Sequence, residues 1–206
     1  MSAAPRIFIV DDDAAVRESL QALLEAKGHA VSAHESAEAF LAACSPAQSG
    51  CALVDLQMPG MDGLALLEQL RAKGSLLPVV MVTGHGDIAL AVQAMKSGAI
   101  DFIEKPYSND SILAVVNRAL AVAGSGIAPI MPAEVTVRIA ALTPREREVL
   151  ELLVAGKPNK IIAHELTISP RTVEIHRANL KKHMQADSLS HLIRMALAAG
   201  IGGRER

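Results

Sequence analysis

The chain has 206 residues, half of them apolar, with three Phe, one Tyr and no Trp, so its core must be built from Ala, Leu, Ile, Val and Met. That composition excludes disorder; two cysteines, Cys44 and Cys51, exclude a disulfide framework; and with no leader pattern or membrane-length apolar run, a soluble cytoplasmic protein is expected. The net charge of −2 hides a division: residues 1–124 hold eight Lys and Arg against fourteen Asp and Glu, whereas residues 139–206 hold eleven against seven. Length and charge reversal together predict two domains, the second facing a polyanion and no membrane.

In chain order, Ile7 to Val10 is an apolar run that ends in Asp11-Asp12-Asp13. Asp13 can cap a helix whose apolar positions Val16, Leu20, Leu23 and Leu24 share one face, closed by Gly28. Ala30 to His34 reads as a second strand, and Ser36 to Ala43 as a serine-capped helix. Cys51 to Val54 is short, apolar and bounded by turn signals, a strand buried on both faces. Asp55 follows it directly, and Met58-Pro59-Gly60 turns the chain away. Asp62-Gly63 leads into a helix over Leu64 to Lys73, and Pro78 to Val82 is a strand ending in Thr83-Gly84-His85-Gly86. Gly86 or Asp87 opens a helix through Lys96. A last strand, Ala99 to Ile103, leads to Glu104-Lys105-Pro106, and Ser108 to Ala123 is an amphipathic helix.

Five alternating strand–helix units predict an α/β fold, a doubly wound five-stranded parallel sheet of flavodoxin type. A strand order 2-1-3-4-5 sets strands 1 and 3 side by side at the switch point, which brings Asp11, Asp12 and Asp55 together at the carboxyl edge, Asp55 facing solvent. Packed carboxylates repel unless a cation sits among them, and hard oxygen ligands with room for water suit magnesium. A carboxylate beside magnesium, with Lys105 and Thr83 to hold incoming oxygens, can accept a phosphoryl group. The competing readings are a turn cap for Asp55 and a solvated helix N-terminus for the three aspartates, which suits Asp13 best.

Residues 124–138, rich in Gly and Pro at the start and with a helical lead-in from Ala133, read as a linker between domains at 1–123 and 139–206. Thr143-Pro144-Arg145-Glu146 is a capping box opening a helix to Val154. Asn159 caps a short helix from Lys160 to Leu166, Ser169 caps a third to about Met184, and Ser188 a fourth to Ala199. The second and third, joined by Thr167-Ile168-Ser169, form a helix-turn-helix in an all-α, four-helix domain. On the third helix Arg171, Glu174, Ile175, Ala178 and Lys182 share an outward face, while Val173, Leu180 and Met184 turn inward. That face can read bases in the major groove: Arg171 a guanine, Glu174 a cytosine amino group, Ile175 a thymine methyl. Lys160, Thr172, His176, Arg177 and Lys181 suit phosphates. The plainer alternative is an ordinary charged helix face.

The set Asp11-Asp12, Asp55, Thr83 and Lys105-Pro106 resembles the receiver domain of two-component response regulators. Leu142 to Glu146, Asn159 to Ala163 and Ser169 to His176 resemble the LuxR-type DNA-binding domain. Receiver, linker and LuxR-type domain in that order are similar to the NarL/FixJ class, the FixJ-like branch above all.

The resemblance implies that Asp55 takes phosphoryl from a sensor histidine kinase, with Asp12, Asp55 and the Gln57 carbonyl as direct magnesium ligands and Asp11 acting through water. It also implies a cis Lys105–Pro106 bond, Lys105 pairing with Asp55 and then phosphate, and Thr83 moving to a phosphate oxygen. Phe102 would swing inward, and Gln57 and His85 would tune phosphate lifetime. Phosphorylation would favour a homodimer through the 88–98 helix and 99–103 strand. It would also free the basic domain for double-stranded promoter DNA and RNA polymerase. The rivals are a regulator that binds DNA without phosphorylation and a magnesium-dependent phosphohydrolase, which typically carries its nucleophile after the first strand.

Overall fold

The structure is a computed structural model and describes residues 5–45, 48–84, 88–125 and 132–202. The chain folds as two compact units, Met1–His85 with Ser97–Ala128 and Gly86–Lys96 with Pro129–Arg206.

The first unit holds β1 (Arg6–Val10), β2 (Ala30–His34), β3 (Gly50–Asp55), β4 (Val79–Thr83) and β5 (Asp101–Glu104), all parallel, in the order β2-β1-β3-β4-β5. Successive strand residues point to opposite faces. On one face Ile7, Ile9, Leu53, Val80 and Val82 pack with Leu20 and Leu24 of α1 (Ala14–Ala26) and Ile112, Val116 and Ala119 of α5 (Asn109–Ser125). On the other, the Phe8 ring meets Phe40 of α2 (Ala37–Ala43) at 5.5 Å, and α2 packs on α3 (Gly63–Ala72).

Asp13 caps α1 by accepting from the Ala15 and Val16 amides, Ser36 caps α2 through Ala39, and Asp62 caps α3 through Ala65. The strands end later than the hydropathy suggests. β3 keeps pairing through Asp55, opposite Val82, because it has a neighbour on each side; Thr83 is likewise inside β4, opposite Glu104. The expected start of α4 at Gly86 or Asp87 lies outside the described residues, as does His85; α4 is seen over Ile88–Lys96 and is grouped with the second unit.

The remaining helices are α6 (Pro132–Ala140), α7 (Pro144–Val154), α8 (Asn159–Glu165), α9 (Pro170–Met184) and α10 (Leu189–Ala198). Their core joins Val135 and Ile139 of α6 to Val149, Leu150 and Leu153 of α7, Ile162 of α8, Val173 and Leu180 of α9 and Leu192 of α10. The helical part therefore has a fifth helix: most of α6 lies in the stretch read as linker, and its apolar face is core. The capping box at Thr143 and Glu146 is complete, Glu146 Oε2 accepting from the Thr143 amide at 3.0 Å and hydroxyl at 2.8 Å.

One cap is corrected. Asn159 is the first residue of α8, and Pro158 stands at the N-cap with no side-chain hydrogen bond. The Asn159 amide oxygen is instead taken by Arg177 Nη1 at 2.8 Å, a bond between helices that sequence spacing does not show.

Candidate functional site

β1 and β3 run in register, Val10 opposite Val54, so the next residues on each, Asp11 and Asp55, emerge side by side. Farther along the same edge, the Lys105 amide donates to the Thr83 carbonyl at 2.7 Å, setting the residue that follows β5 next to the last residue of β4. The Lys105–Pro106 bond is cis, as the resemblance implies. The Lys105 side chain returns over the sheet edge, its Nζ donating to Asp11 Oδ2 and Asp55 Oδ1, each at 3.0 Å.

Asp55 is not turned to solvent as expected; it is 7 % exposed. Burial is the largest cause raising its pKa above the ordinary 3.8. The Lys105 contact opposes that shift, while Asp11 and Asp12 add to it. Burial alone would lower the Lys105 pKa, but its bonds to Asp11 and Asp55 hold it above 10.5. One ammonium thus serves two buried carboxylates, with a third, exposed on Asp12, beside them. An oxygen from each of Asp11, Asp12 and Asp55 lies within 4.8 Å of the others, a hard donor set that fits a divalent cation.

Thr83 is buried, its hydroxyl donating to the Gly84 carbonyl at 3.3 Å. Phe102, paired with Met81 in β5, is already buried at 7 % exposure, so an inward swing has little surface left to remove. The Gln57 side chain is exposed one residue past Leu56.

Two contacts were not foreseen. Arg17 Nη1 on α1 donates to the carbonyls of Asp11 at 2.7 Å and Asp12 at 2.8 Å. Glu38 Oε1 on α2 accepts from the Met61 amide at 3.1 Å, tying down the loop that follows Asp55. An Arg one turn after three aspartates was a signal for the first; nothing in the sequence links residues 38 and 61.

In the helical unit, Ser169 caps α9, and Val173, Leu180 and Met184 are fully buried, as expected. Arg171, Glu174, Ile175, Ala178, Lys181 and Lys182 are exposed on α9, with Lys160 exposed on α8. Ile175 is 53 % exposed, an apolar side chain held in water by a buried opposite face. Glu174, Arg177, Ala178 and Lys181 line a groove of about 220 Å³ that Leu189 closes. Three phosphate candidates are less open. Thr172 bonds the Ser169 hydroxyl at 2.8 Å, Arg177 is engaged with Asn159, and His176 is half-buried with its Nδ1 enclosed.

An acidic strand-edge site and a helix-turn-helix define a class, and the chain belongs to it: residues 7–117 match the response regulator receiver domain and residues 140–196 the LuxR family of bacterial regulatory proteins. It is a two-component transcriptional response regulator; the receiver implies a histidine kinase partner and the LuxR-type domain implies DNA. Among particular proteins, it is 52 % identical to the transcriptional regulatory protein FixJ of Azorhizobium caulinodans, over 95 % of this chain and 93 % of that one. It is 43 % identical to the tetrathionate response regulatory protein TtrR of Salmonella typhimurium, over 91 % and 90 % of the two chains. The crystal structure of full-length FixJ from B. japonicum is 46 % identical and covers 96 % of this chain and 98 % of its own, with a TM-score of 0.57. Among the described residues no helix is long and apolar enough to cross a membrane.

Proposed function

We propose that Asp55 is the phosphoacceptor and that its phosphorylation controls DNA binding by the α8–α9 pair. The observation that carries this is Lys105 Nζ held 3.0 Å from both Asp11 and Asp55. An Asp55 carboxylate oxygen attacks the phosphorus of a phosphohistidine or a small phosphodonor. The bond from phosphorus to the leaving imidazole or donor oxygen breaks, and an acyl phosphate forms. Asp12, Asp55 and the Gln57 carbonyl would hold Mg2+ directly and Asp11 through water; the ion supplies charge neutralisation for the incoming phosphoryl oxygens. Lys105 then exchanges its Asp55 bond for one to phosphate, and the Thr83 hydroxyl leaves the Gly84 carbonyl for a phosphate oxygen. The coupled rearrangement favours a dimer and releases the basic domain to double-stranded DNA and RNA polymerase, a shift of populations between two states. Apart from this transfer and its reversal, the chain acts as a regulator in the cytoplasm and turns over no substrate.

On α9, Arg171, Glu174 and Ile175 are assigned to bases and Lys181 to phosphate, with Lys160 of α8 assigned to phosphate as well. The Arg171–Glu174 pair, 3.8 Å apart in the free protein, parts when each finds its base.

The test is DNA binding and oligomeric state with and without a small phosphodonor and Mg2+, on the wild type and Asp55→Asn. Dimerisation and tighter DNA binding in the treated wild type alone are expected. A protein that is dimeric and binds equally well untreated, with Asp55→Asn no different, would point to phosphorylation-independent regulation instead.

A further inference from the structure

A loop that carries two metal ligands has a difficulty of its own. Asp11 and Asp12 must stand beside Asp55 with their oxygens within 4.8 Å of one another, although the three charges drive them apart. Lys105 relieves that repulsion by occupying one oxygen of Asp11 and one of Asp55, which are the groups a cation needs. A counter-charge that left the carboxylates open would have to approach the loop from its backbone side.

Arg17 does this. From the second turn of α1 its Nη1 donates to the carbonyls of Asp11 and Asp12 at 2.7 and 2.8 Å. The same loop is held by the Asp13 amide donating to Asp11 Oδ1 at 2.9 Å, and Asp13 itself caps α1. Arg17 is half-buried, and its backbone amide closes the first turn of α1 onto the Asp13 carbonyl at 3.0 Å, so both ends of the brace are on rigid structure. Two consecutive carbonyls on one donor fix the direction of the peptide between Asp11 and Asp12, and with it where both carboxylates point.

We infer that Arg17 is a positioning residue for the divalent cation: it pre-sets the Asp11–Asp12 peptide so that metal binding need not reorder the loop. The inference rests on the assignment of Asp11, Asp12 and Asp55 as the metal site. An interaction made to the loop before the ion arrives acts on affinity for the ion, not on the rate once the site is filled.

The experiment uses the full chain with Arg17→Met, which removes the donor, and Arg17→Lys, which keeps the charge but ends one bond sooner, short of both carbonyls. Mn2+ binding is read by water proton relaxation without phosphodonor, and acetyl phosphate-driven phosphorylation is then followed across a Mg2+ series. Losing charge-assisted bonds of this kind should raise the Mn2+ dissociation constant and the half-saturating Mg2+ about tenfold in Arg17→Met, and at least roughly threefold in Arg17→Lys. The phosphorylation rate at saturating Mg2+ should stay within about twofold of wild type in both.

A folded Arg17→Met protein that binds Mn2+ as tightly as wild type overturns the inference. So does full recovery in Arg17→Lys, which would make the effect one of charge alone, or a collapse of the saturated rate with metal affinity intact. If Arg17→Met does not fold, Arg17→Lys decides by the same criteria. Wild type that binds no Mn2+, or Asp12→Asn that binds as well as wild type, removes the site assignment first and the role of Arg17 with it.

Discussion

Replacing Lys105 by Met tests the electrostatics of the site without touching an acid. The side chains are similar in length, but the substitution deletes two charge-assisted hydrogen bonds of 3.0 Å and leaves Asp11 and Asp55 buried without their cation. Such bonds contribute about 1.5–3 kcal/mol each. The partial burial of the ammonium and its 29 % exposure offset part of that, which leaves a loss of about 2–3 kcal/mol at neutral pH without metal. The pH dependence carries the sign. The Asp55 pKa is already above its ordinary 3.8, and without Lys105 it rises further. A group whose folded pKa is raised stabilises the fold at pH below its unfolded pKa, and that stability is lost as pH rises through the folded value. The deficit of Lys105→Met should therefore shrink as pH falls from 7.5 toward 5, and saturating Mg2+ at neutral pH should shrink it as well. Tyr107 is the one tyrosine in a chain without tryptophan and packs against the core under the sheet, so its emission in a urea titration with EDTA reports this unit. Equal stability of variant and wild type at pH 7.5, or a deficit that widens on acidification, would refute the reasoning.

A Cβ at Gly63 would lie 2.3 Å from the Asp55 carbonyl oxygen, so Gly63→Ala must displace α3 or the strand end; we expect a loss of about 1–3 kcal/mol in the same titration and slower phosphorylation. Thr143→Ala removes the hydroxyl that bonds Glu146, costing about 1 kcal/mol. Burial opposes ionisation of Glu146, but the Thr143 and His183 contacts outweigh it and hold its pKa below 4.5. Its stabilisation is thus present above 4.5 and lost as pH falls through the folded value, a dependence that thermal melts of Thr143→Ala should show weakened. On DNA, Arg171→Ala should cost about 1–3 kcal/mol on the specific site and relax discrimination at one base pair, while Lys181→Ala should weaken all sequences alike and reduce the salt slope by about one; competition binding at several salt concentrations separates the two.

The apolar runs, the period-3.6 patterns, the turn residues and the caps were enough to derive the alternating strands and helices and the helix-turn-helix, because each is a local preference along the chain; the strand order came from the flavodoxin-type topology that such alternation implies. Asp11, Asp55, Thr83 and Lys105 were legible for a related reason: in a parallel sheet every strand ends on the same edge, so residues that follow the strands must meet there. Which of them would be covered did not follow. Asp55 is buried rather than open, with Lys105 bonded to it from beyond β5, and Phe102 is already buried before any inward swing. Neither depends on neighbours in sequence.

The cap at residue 159 failed in the same way. Asn has a high local preference for an N-cap, but Arg177, eighteen residues on, takes its side chain and leaves Pro158 in the capping position. The chain alone thus determined the elements, their order and the edge where the chemistry gathers. Only the tertiary structure decided the braces, Arg17 on the acidic loop and Glu38 on the loop after Asp55. A hydrogen bond between distant segments is set by where packing leaves two groups, and no periodicity along the chain encodes that distance.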